Sequence, residues 1–65
     1  MDYTNSQIRA LIEEHVHSIR DREILFDRLI DGLTYEKISE KHDLSVVQTK
    51  RIIYKLEEIL FRKLK

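Results

Sequence analysis

The chain of 65 residues contains no cysteine, no proline and only one glycine. Without cysteine it can form no disulfide, no thiolate metal site and no thiol nucleophile, a composition that suits a reducing compartment. The lack of proline and the scarcity of glycine remove the residues that most often interrupt helices. No apolar run approaches the ~20 residues of a membrane span, and the first residues lack a signal-peptide pattern. We therefore expect one all-α domain, residues 1–65, in the cytoplasm and with no membrane partner.

Patterns typical of catalysis and metal binding are also missing. His15 and His17 are two residues apart, so they diverge on a helix and cannot hold a metal ion together. There is no glycine-rich phosphate loop and no nucleophile paired with a base. The adjacent acids Glu13–Glu14 and Glu57–Glu58 are typical of solvated helix faces. We expect no enzyme activity, no cofactor and no metal site.

A compact domain of four helices is predicted, over residues 6–17, 19–31, 35–42 and 46–64. Within these segments apolar side chains recur at intervals of three and four residues, which places them on one face of a helix. Ser18 and Asp21 form a start signal for the second helix, and Thr4, Asn5 or Ser6 can cap the first. The expected buried residues are Ile8, Leu11, Ile12, Val16, Ile24, Leu25, Leu29, Ile38, Thr49, Ile52, Ile53, Leu56, Ile59, Leu60 and Leu64.

The region from the second helix to the fourth carries its own stop and start signals. Gly32 suits the left-handed position that ends a helix, and Thr34 can cap the next one. Ser45 with Gln48 gives Ser-x-x-Gln, a capping box, and Asp43–Leu44 forms the turn before it. Two short helices joined so tightly are expected to cross steeply. That helix-turn-helix arrangement can place the second helix in the major groove of DNA.

The distribution of charge supports this interpretation although the net charge of the chain is zero. Residues 1–43 carry six basic and ten acidic side chains, a net charge of −4. Residues 44–65 carry six basic and two acidic side chains, a net charge of +4. The basic half coincides with the helix predicted to enter DNA, as an electrostatic footprint requires. The helix dipole offers another explanation, because it favours cations at the C-terminal end of a helix. That explanation applies less to Lys50 and Arg51, which lie near the start of the helix.

The side chains expected to face DNA lie on the first turns of the fourth helix, around residues 46–55. Glutamine can pair with adenine, arginine or lysine with guanine, and valine methyls can contact the thymine methyl. Alternatively, one of the two adjacent valines, Val47, packs against the third helix. Lys41 could add positive charge beside the phosphates. The candidate contacts to bases and phosphates are Thr34, Lys37, Ser45, Val46, Val47, Gln48, Lys50, Arg51, Tyr54 and Lys55.

The second half of the fourth helix is longer than DNA recognition requires. Its apolar side chains are expected to pack onto the first helix, to form a homodimer contact, or to do both. The residues concerned are Leu56, Ile59, Leu60, Phe61 and Leu64.

Residues 18–64 resemble the fourth conserved region of bacterial sigma factors and the related four-helix effector domain of response regulators. The resemblance is carried by Asp-Arg-Glu-Ile-Leu at 21–25, by Leu-Ile-Asp-Gly-Leu-Thr-Tyr-Glu-Lys-Ile at 29–38, and by Asp-Leu-Ser-Val-Val-Gln-Thr-Lys-Arg-Ile at 43–52. It implies a small transcription regulator of phage or prophage type in a bacterial cytoplasm or nucleoid. Nothing in the chain resembles the sigma region that melts promoter DNA, so the resemblance does not imply a complete sigma factor.

The chain departs from the family pattern at three places. The family usually has polar residues, often arginine, where this chain has Val46 and Val47, so the family's preferred promoter sequence is not carried over. Thr49 replaces a buried Ile or Val and requires a hydrogen bond from its hydroxyl to a carbonyl one turn earlier. Asp43 stands where a small residue, often glycine, is common, and must adopt the left-handed conformation.

These observations predict a sequence-specific regulator that binds double-stranded DNA. The first alternative is an interaction module that docks on RNA polymerase or a sigma factor. The second is a DNA-packaging adaptor similar to a phage terminase small subunit, which also begins with a helix-turn-helix. The docking face of the first alternative would combine Asp21, Glu23, Asp27 and Asp31 with the apolar Phe26 and Ile30.

Overall fold

The expected all-α architecture is confirmed. The computed structural model describes residues 3–63, which form four helices and contain no strand. The helices are α1 (Asn5–His15), α2 (Ile19–Leu25), α3 (Tyr35–His42) and α4 (Val46–Lys63), and a π-helical turn, Phe26–Ile30, continues α2. Within residues 3–63, no helix combines the length and the apolar character needed to cross a bilayer.

The first helix is two residues shorter at its end than predicted. It begins after Thr4, whose hydroxyl accepts a hydrogen bond from the Gln7 backbone at 3.2 Å while the Gln7 side chain accepts one from the Thr4 backbone at 2.9 Å. It ends at His15, and the C-cap residue Val16 has an extended backbone and a buried side chain. Arg22 donates to the carbonyl of Val16, and to that of Glu13 at 2.8 Å. The guanidinium thus satisfies carbonyls that the helix end leaves without a partner.

The second helix widens into a π-helical turn that the sequence did not predict. The Asp31 backbone N–H donates to the Phe26 carbonyl at 3.0 Å, five residues earlier, instead of the four that define an α-helix. Gly32 follows with φ of +69°, the left-handed conformation that was expected to end this helix. The turn lies directly before the loop that leads to α3, so it sets where that loop leaves α2.

Two groups of buried side chains make up the core. The group between α1, α2 and α4 consists of Ile12, Val16, Leu25, Leu56 and Leu60. The group between α2, α3 and α4 consists of Ile24, Ile38 and Ile53. Half-buried Ile52 packs against both groups. Helix α4 therefore contributes to both groups of the described core, with three of the eight buried aliphatic side chains. Each fully buried aliphatic side chain stabilises the fold by about 1.5–3 kcal/mol.

Four of the residues expected in the core are half-buried against it, namely Ile8, Leu11, Leu29 and Ile52, and a fifth, Ile59, lies at its edge. Ile59 is 36% exposed, whereas Leu56 and Leu60 on either side of it are 8% and 3% exposed. At about 100° per residue, Ile59 lies roughly 90° around α4 from the line through Thr49 and Ile53, outside the buried stripe. Leu64, also predicted to be buried, lies outside the described residues.

Candidate nucleic-acid interface

The connection between α3 and α4 has the predicted conformation. Asp43 is left-handed, with φ of 57° and ψ of 49°, and is the one non-glycine residue of the described chain with positive φ. The Leu44 backbone N–H donates to the Ser39 carbonyl at 2.8 Å, which closes the end of α3. Ser39 itself is buried, and its hydroxyl donates to the Glu36 carbonyl at 2.7 Å.

The predicted capping box at the start of α4 is present. The Gln48 backbone N–H donates to the Ser45 hydroxyl at 3.1 Å, and the Ser45 backbone N–H donates to the Gln48 side-chain oxygen at 3.1 Å. The Ser45 hydroxyl also donates to that same oxygen at 3.2 Å. A bidentate contact with adenine needs both the oxygen and the nitrogen of the carboxamide. Gln48 would therefore have to give up part of its cap to read a base in that way.

One face of α4 is exposed from its first turn onward. Val47 is 62% exposed and Tyr54 55% exposed, and Gln48, Lys50, Arg51 and Lys55 are exposed as well. Val46 is only half-buried, so it, and not Val47, is the valine that turns toward the domain. Helix geometry accounts for the difference. At about 100° per residue, Val46 lies at the edge of the buried stripe and Val47 nearly opposite it.

Thr49 is fully buried on the inner face of α4. Its hydroxyl donates to the Ser45 carbonyl at 2.9 Å, one turn earlier. This is the hydrogen bond that a polar residue in an aliphatic position was expected to need. The polar atom is thus satisfied within the helix, and the residue can occupy the core without a partner from another element.

The two capping hydroxyls differ in what they can offer to a phosphate. The Thr34 hydroxyl accepts a hydrogen bond from the Lys37 backbone at 3.1 Å, which leaves its own proton available as a donor. The Ser45 hydroxyl already donates to Gln48. Thr34 and Lys37 are both exposed at the start of α3. Of the two caps, Thr34 is therefore the better suited to bind a phosphate oxygen.

An aromatic cluster beside this face was not foreseen from the sequence. The Tyr35 ring meets the Tyr54 ring edge to face, with centroids 6.1 Å apart and planes at 82°. The Arg28 guanidinium lies 4.2 Å from the Tyr35 ring centroid, and the Lys50 ammonium lies 5.5 Å from it. Arg28 also donates to the Leu33 carbonyl at 3.0 Å. The Tyr35 ring therefore connects a basic residue of the π-helical turn with one of α4.

A buried carboxylate ties α3 to the π-helical turn. Asp27 is 3% exposed, and its two oxygens each lie 2.9 Å from a nitrogen, one from the Lys41 ammonium and one from Nε2 of His42. The expectation that Asp27 is part of an exposed acidic face is therefore wrong, and Lys41 is engaged in an ion pair. The signal was present in the sequence, because Asp27 stands three residues after Ile24 on the buried face of its helix.

The surroundings of Asp27 favour its ionised form. Burial alone would raise the pKa of this carboxyl, but the hydrogen bonds from Lys41 and His42 outweigh burial and hold the pKa below its ordinary value of 3.8. The same contact with Asp27 raises the pKa of Lys41 above 10.5. Both members of the ion pair therefore stay charged across the neutral range. No buried side-chain nitrogen or oxygen within residues 3–63 lacks a hydrogen-bond partner.

The second half of α4 divides into buried and exposed side chains. Leu56 and Leu60 belong to the core group against α1, so packing onto the first helix is the role they have in this structure. Ile59 and Phe61 are 36% and 49% exposed and remain available to a partner. An apolar groove of about 100 Å³ lies beside them, lined by Tyr3, Ile8, Leu11, Leu29, Leu60 and Phe61. Leu64, the last of the residues proposed for a dimer contact, lies outside the described part of the chain.

Among the described residues, no group of three or more histidine, aspartate or glutamate side chains is placed to hold a metal ion. Comparisons of the chain with models of protein families, with curated proteins and with solved structures found no match. The resemblance to sigma factor region 4 thus remains an expectation based on the quoted residues. The structure defines the class of the protein as a small all-α domain of four helices.

Proposed function

We propose that this chain is a sequence-specific transcription regulator that binds double-stranded DNA, with α3 and α4 as its helix-turn-helix and the first turns of α4 in the major groove. The observation that carries the proposal is the continuous exposed face at the start of α4. This face follows directly after a tight turn, and its side chains lie outside the core. They are Val47, Gln48, Lys50, Arg51 and Tyr54. The resemblance to sigma region 4 adds that the regulator is of phage or prophage type.

The exposed side chains suit different parts of DNA. Arg51 lies on the outer surface of α4, where a guanidinium can pair with the edge of guanine or with a phosphate. Val47 offers methyl groups that can contact the thymine methyl. A position this exposed on a helix would ordinarily hold a polar residue, so a DNA contact gives the valine a reason to be there. Lys50 flanks this line, a position that suits a phosphate. Thr34 and Lys37, at the start of α3, extend the same set of phosphate contacts.

The structure weakens the alternative that the chain is an interaction module for RNA polymerase or a sigma factor. Its acidic face relied on four carboxylates, and Asp27 is not available because it is buried against Lys41 and His42. Asp31 and Glu23 are exposed, and Phe26 and Ile30 are half-buried. A protein that docks on RNA polymerase through this face would keep its DNA affinity unchanged when the basic residues of α4 are replaced.

The basic residues of α4 provide the test. In fluorescence anisotropy titrations against a duplex selected by the wild type, Lys50→Ala and Arg51→Ala should each weaken binding. Each should also reduce the slope of log K against log salt by about 0.9 per lost phosphate contact. Arg62→Ala is the matched control, because it removes the same charge from the same helix at an exposed position paired only with Glu58. Equal losses in all three variants would indicate a general effect of charge, and no loss in any would favour the interaction module.

Selection from random DNA tests the role of Gln48 and the symmetry of the complex. A bidentate pair with adenine would contribute ~1–3 kcal/mol to discrimination, so Gln48→Ala should then select a different site from the wild type. An identical site for both proteins would assign Gln48 to the cap alone. A palindromic site would support a homodimer, for which Ile59 and Phe61 are the exposed apolar candidates near the end of α4. A wild-type chain that enriches no sequence would refute the proposal.

A further inference from the structure

Tyr35 gathers two cationic side chains that come from different helices. Arg28 approaches its ring from the π-helical turn at 4.2 Å, and Lys50 approaches it from α4 at 5.5 Å. Both distances are within the ~6 Å over which the negative face of an aromatic ring attracts a cation. Without the ring, the positive charges of Arg28 and Lys50 would only repel each other. The ring therefore brings together charges that the rest of the fold would leave apart.

The ring is itself held firmly. Tyr35 is half-buried and packs against the core group of Ile24, Ile38 and Ile53. Arg28, which stacks on the ring, is also fixed by its hydrogen bond to the Leu33 carbonyl. Lys50, in contrast, is exposed, and its ammonium stands at the end of a flexible four-carbon stem. Of the two cations that meet at this ring, Lys50 is thus the one whose position depends on the contact.

We propose that Tyr35 is a positioning residue for Lys50. Its ring restricts the ammonium to the side of α4 that faces α3, where a DNA phosphate would lie, and Tyr35 itself does not bind DNA. The inference rests on the proposed function and adds to it a residue outside the recognition helix. An ammonium has three N–H donors, so Lys50 can bind a phosphate oxygen without leaving the ring. Holding the side chain in advance reduces the entropy lost on binding.

A double-mutant cycle tests the coupling between Tyr35 and Lys50. Tyr35→Leu keeps an apolar side chain against the core but removes the ring, Tyr35→Phe keeps the ring, and Lys50→Met keeps the stem but removes the charge. On the duplex selected by the wild type, Tyr35→Leu should weaken binding about threefold, the size expected from an exposed cation–π contact. Tyr35→Phe should bind within about twofold of the wild type. In the Lys50→Met background, Tyr35→Leu should have no further effect.

Two results would overturn the positioning role. The first is an undiminished effect of Tyr35→Leu in the Lys50→Met background, which would mean that Tyr35 acts independently of Lys50. The second is equal loss in Tyr35→Phe and Tyr35→Leu, which would mean that the Tyr35 hydroxyl, and not its ring, supports DNA binding. Circular dichroism of each variant establishes that it is folded at the temperature of the titration.

A measurement on the free wild-type protein keeps the inference testable if Tyr35→Leu does not fold. Ring current from Tyr35 should move the proton resonances of the Lys50 methylene beside the ammonium upfield of those of Lys37 and Lys55, both exposed lysines of α3 and α4. Equal shifts in all three lysines would refute the contact. A shifted Lys50 in a protein that binds no duplex would instead refute the proposed function and leave the contact intact.

Discussion

The buried carboxylate of Asp27 gives the sharpest prediction for the stability of this domain. Its side chain is 4% exposed and holds Lys41 and His42, both at the end of α3, against the π-helical turn. Asp27→Asn preserves the size of the side chain and one oxygen acceptor, but its new amide group cannot accept a hydrogen bond. The Lys41 ammonium therefore loses its ion pair, and Nε2 of His42 keeps a partner only by changing tautomer and accepting from the new NH2 group.

The expected loss is large for so small a protein. A hydrogen bond to a charged group contributes about 1.5–3 kcal/mol, so Asp27→Asn should reduce the free energy of unfolding by ~2 kcal/mol. Asp27→Ala removes both acceptors and leaves the His42 ring, whose side chain is 8% exposed, without its partner. Its cost should be about 3 kcal/mol or more. A domain of this length is stable by only about 3–10 kcal/mol, so either change consumes a substantial share of the total.

Urea unfolding followed by far-UV circular dichroism measures the loss, and thermal unfolding provides a second measure. A loss of ~2 kcal/mol should lower the Tm by roughly 8–16 °C. Asp31→Asn is the matched control, because it removes the same charge from an exposed position four residues along the chain. It should change the free energy of unfolding by less than about 0.5 kcal/mol. Equal effects of the two changes would refute the role of the buried ion pair.

The pH dependence follows from the direction of the pKa shift. Because the folded protein holds the pKa of Asp27 below 3.8, the carboxylate stabilises the fold above the unfolded pKa and loses that effect as the pH falls through the folded value. The difference in stability between wild type and Asp27→Asn should be constant from neutral pH down to about 5 and then narrow. On the alkaline side the pKa of Lys41 is raised, so its pairing is lost only as the pH rises through a value above 10.5. A difference that persists undiminished at strongly acid pH would contradict this account.

Three further predictions concern the backbone, the core and the partner surface. Gly32→Ala should lower the free energy of unfolding in urea by about 1 kcal/mol, because the φ of +69° is strained for a residue with a Cβ. Steric contact plays no part, since nothing lies within 4 Å of the added Cβ. An unchanged free energy of unfolding would mean that the turn relaxes. Thr49→Val should cost less than about 1 kcal/mol, since the backbone N–H of Thr49 still donates to the Ser45 carbonyl at 3.0 Å. A cost well above this would show that the hydroxyl has another role. If the chain forms a dimer through α4, Phe61→Glu should abolish a concentration-dependent mass in sedimentation while the monomer stays folded, because Phe61 is 49% exposed. A wild-type chain that sediments as a monomer at every concentration would remove the dimer.

Leu60 and Phe61 are neighbours on α4 that differ in burial, so a charge has different effects at the two positions. By sequence alone, Leu60 and Phe61 are equal candidates for a dimer contact. Leu60 is only 3% exposed and packs with α1, so a charge there would unfold the domain and leave the question of association unanswered. The apolar spacing placed both residues on α4 but did not distinguish the core from its rim.

The caps and turns were predictable because each depends on residues within one helical turn. The Thr34 cap and the capping box of Ser45 and Gln48 each join a side chain to a backbone group three residues away. The left-handed Gly32 follows from its lack of a Cβ. The choice among Thr4, Asn5 and Ser6 was left open by the sequence. Thr4 is the cap because Gln7, three residues later, completes its capping box.

The sequence by itself determined four helices, where most of them begin and end, and which face of each is apolar, because these depend on local hydrogen bonds and on helical periodicity. Only the tertiary structure decided that Asp27 is an internal ion-pair partner and that Tyr35 meets Lys50. Each of these depends on how two helices are placed against each other. The pairs involved are up to 15 residues apart, as between Asp27 and His42, and no pattern within one turn reports a contact across that separation.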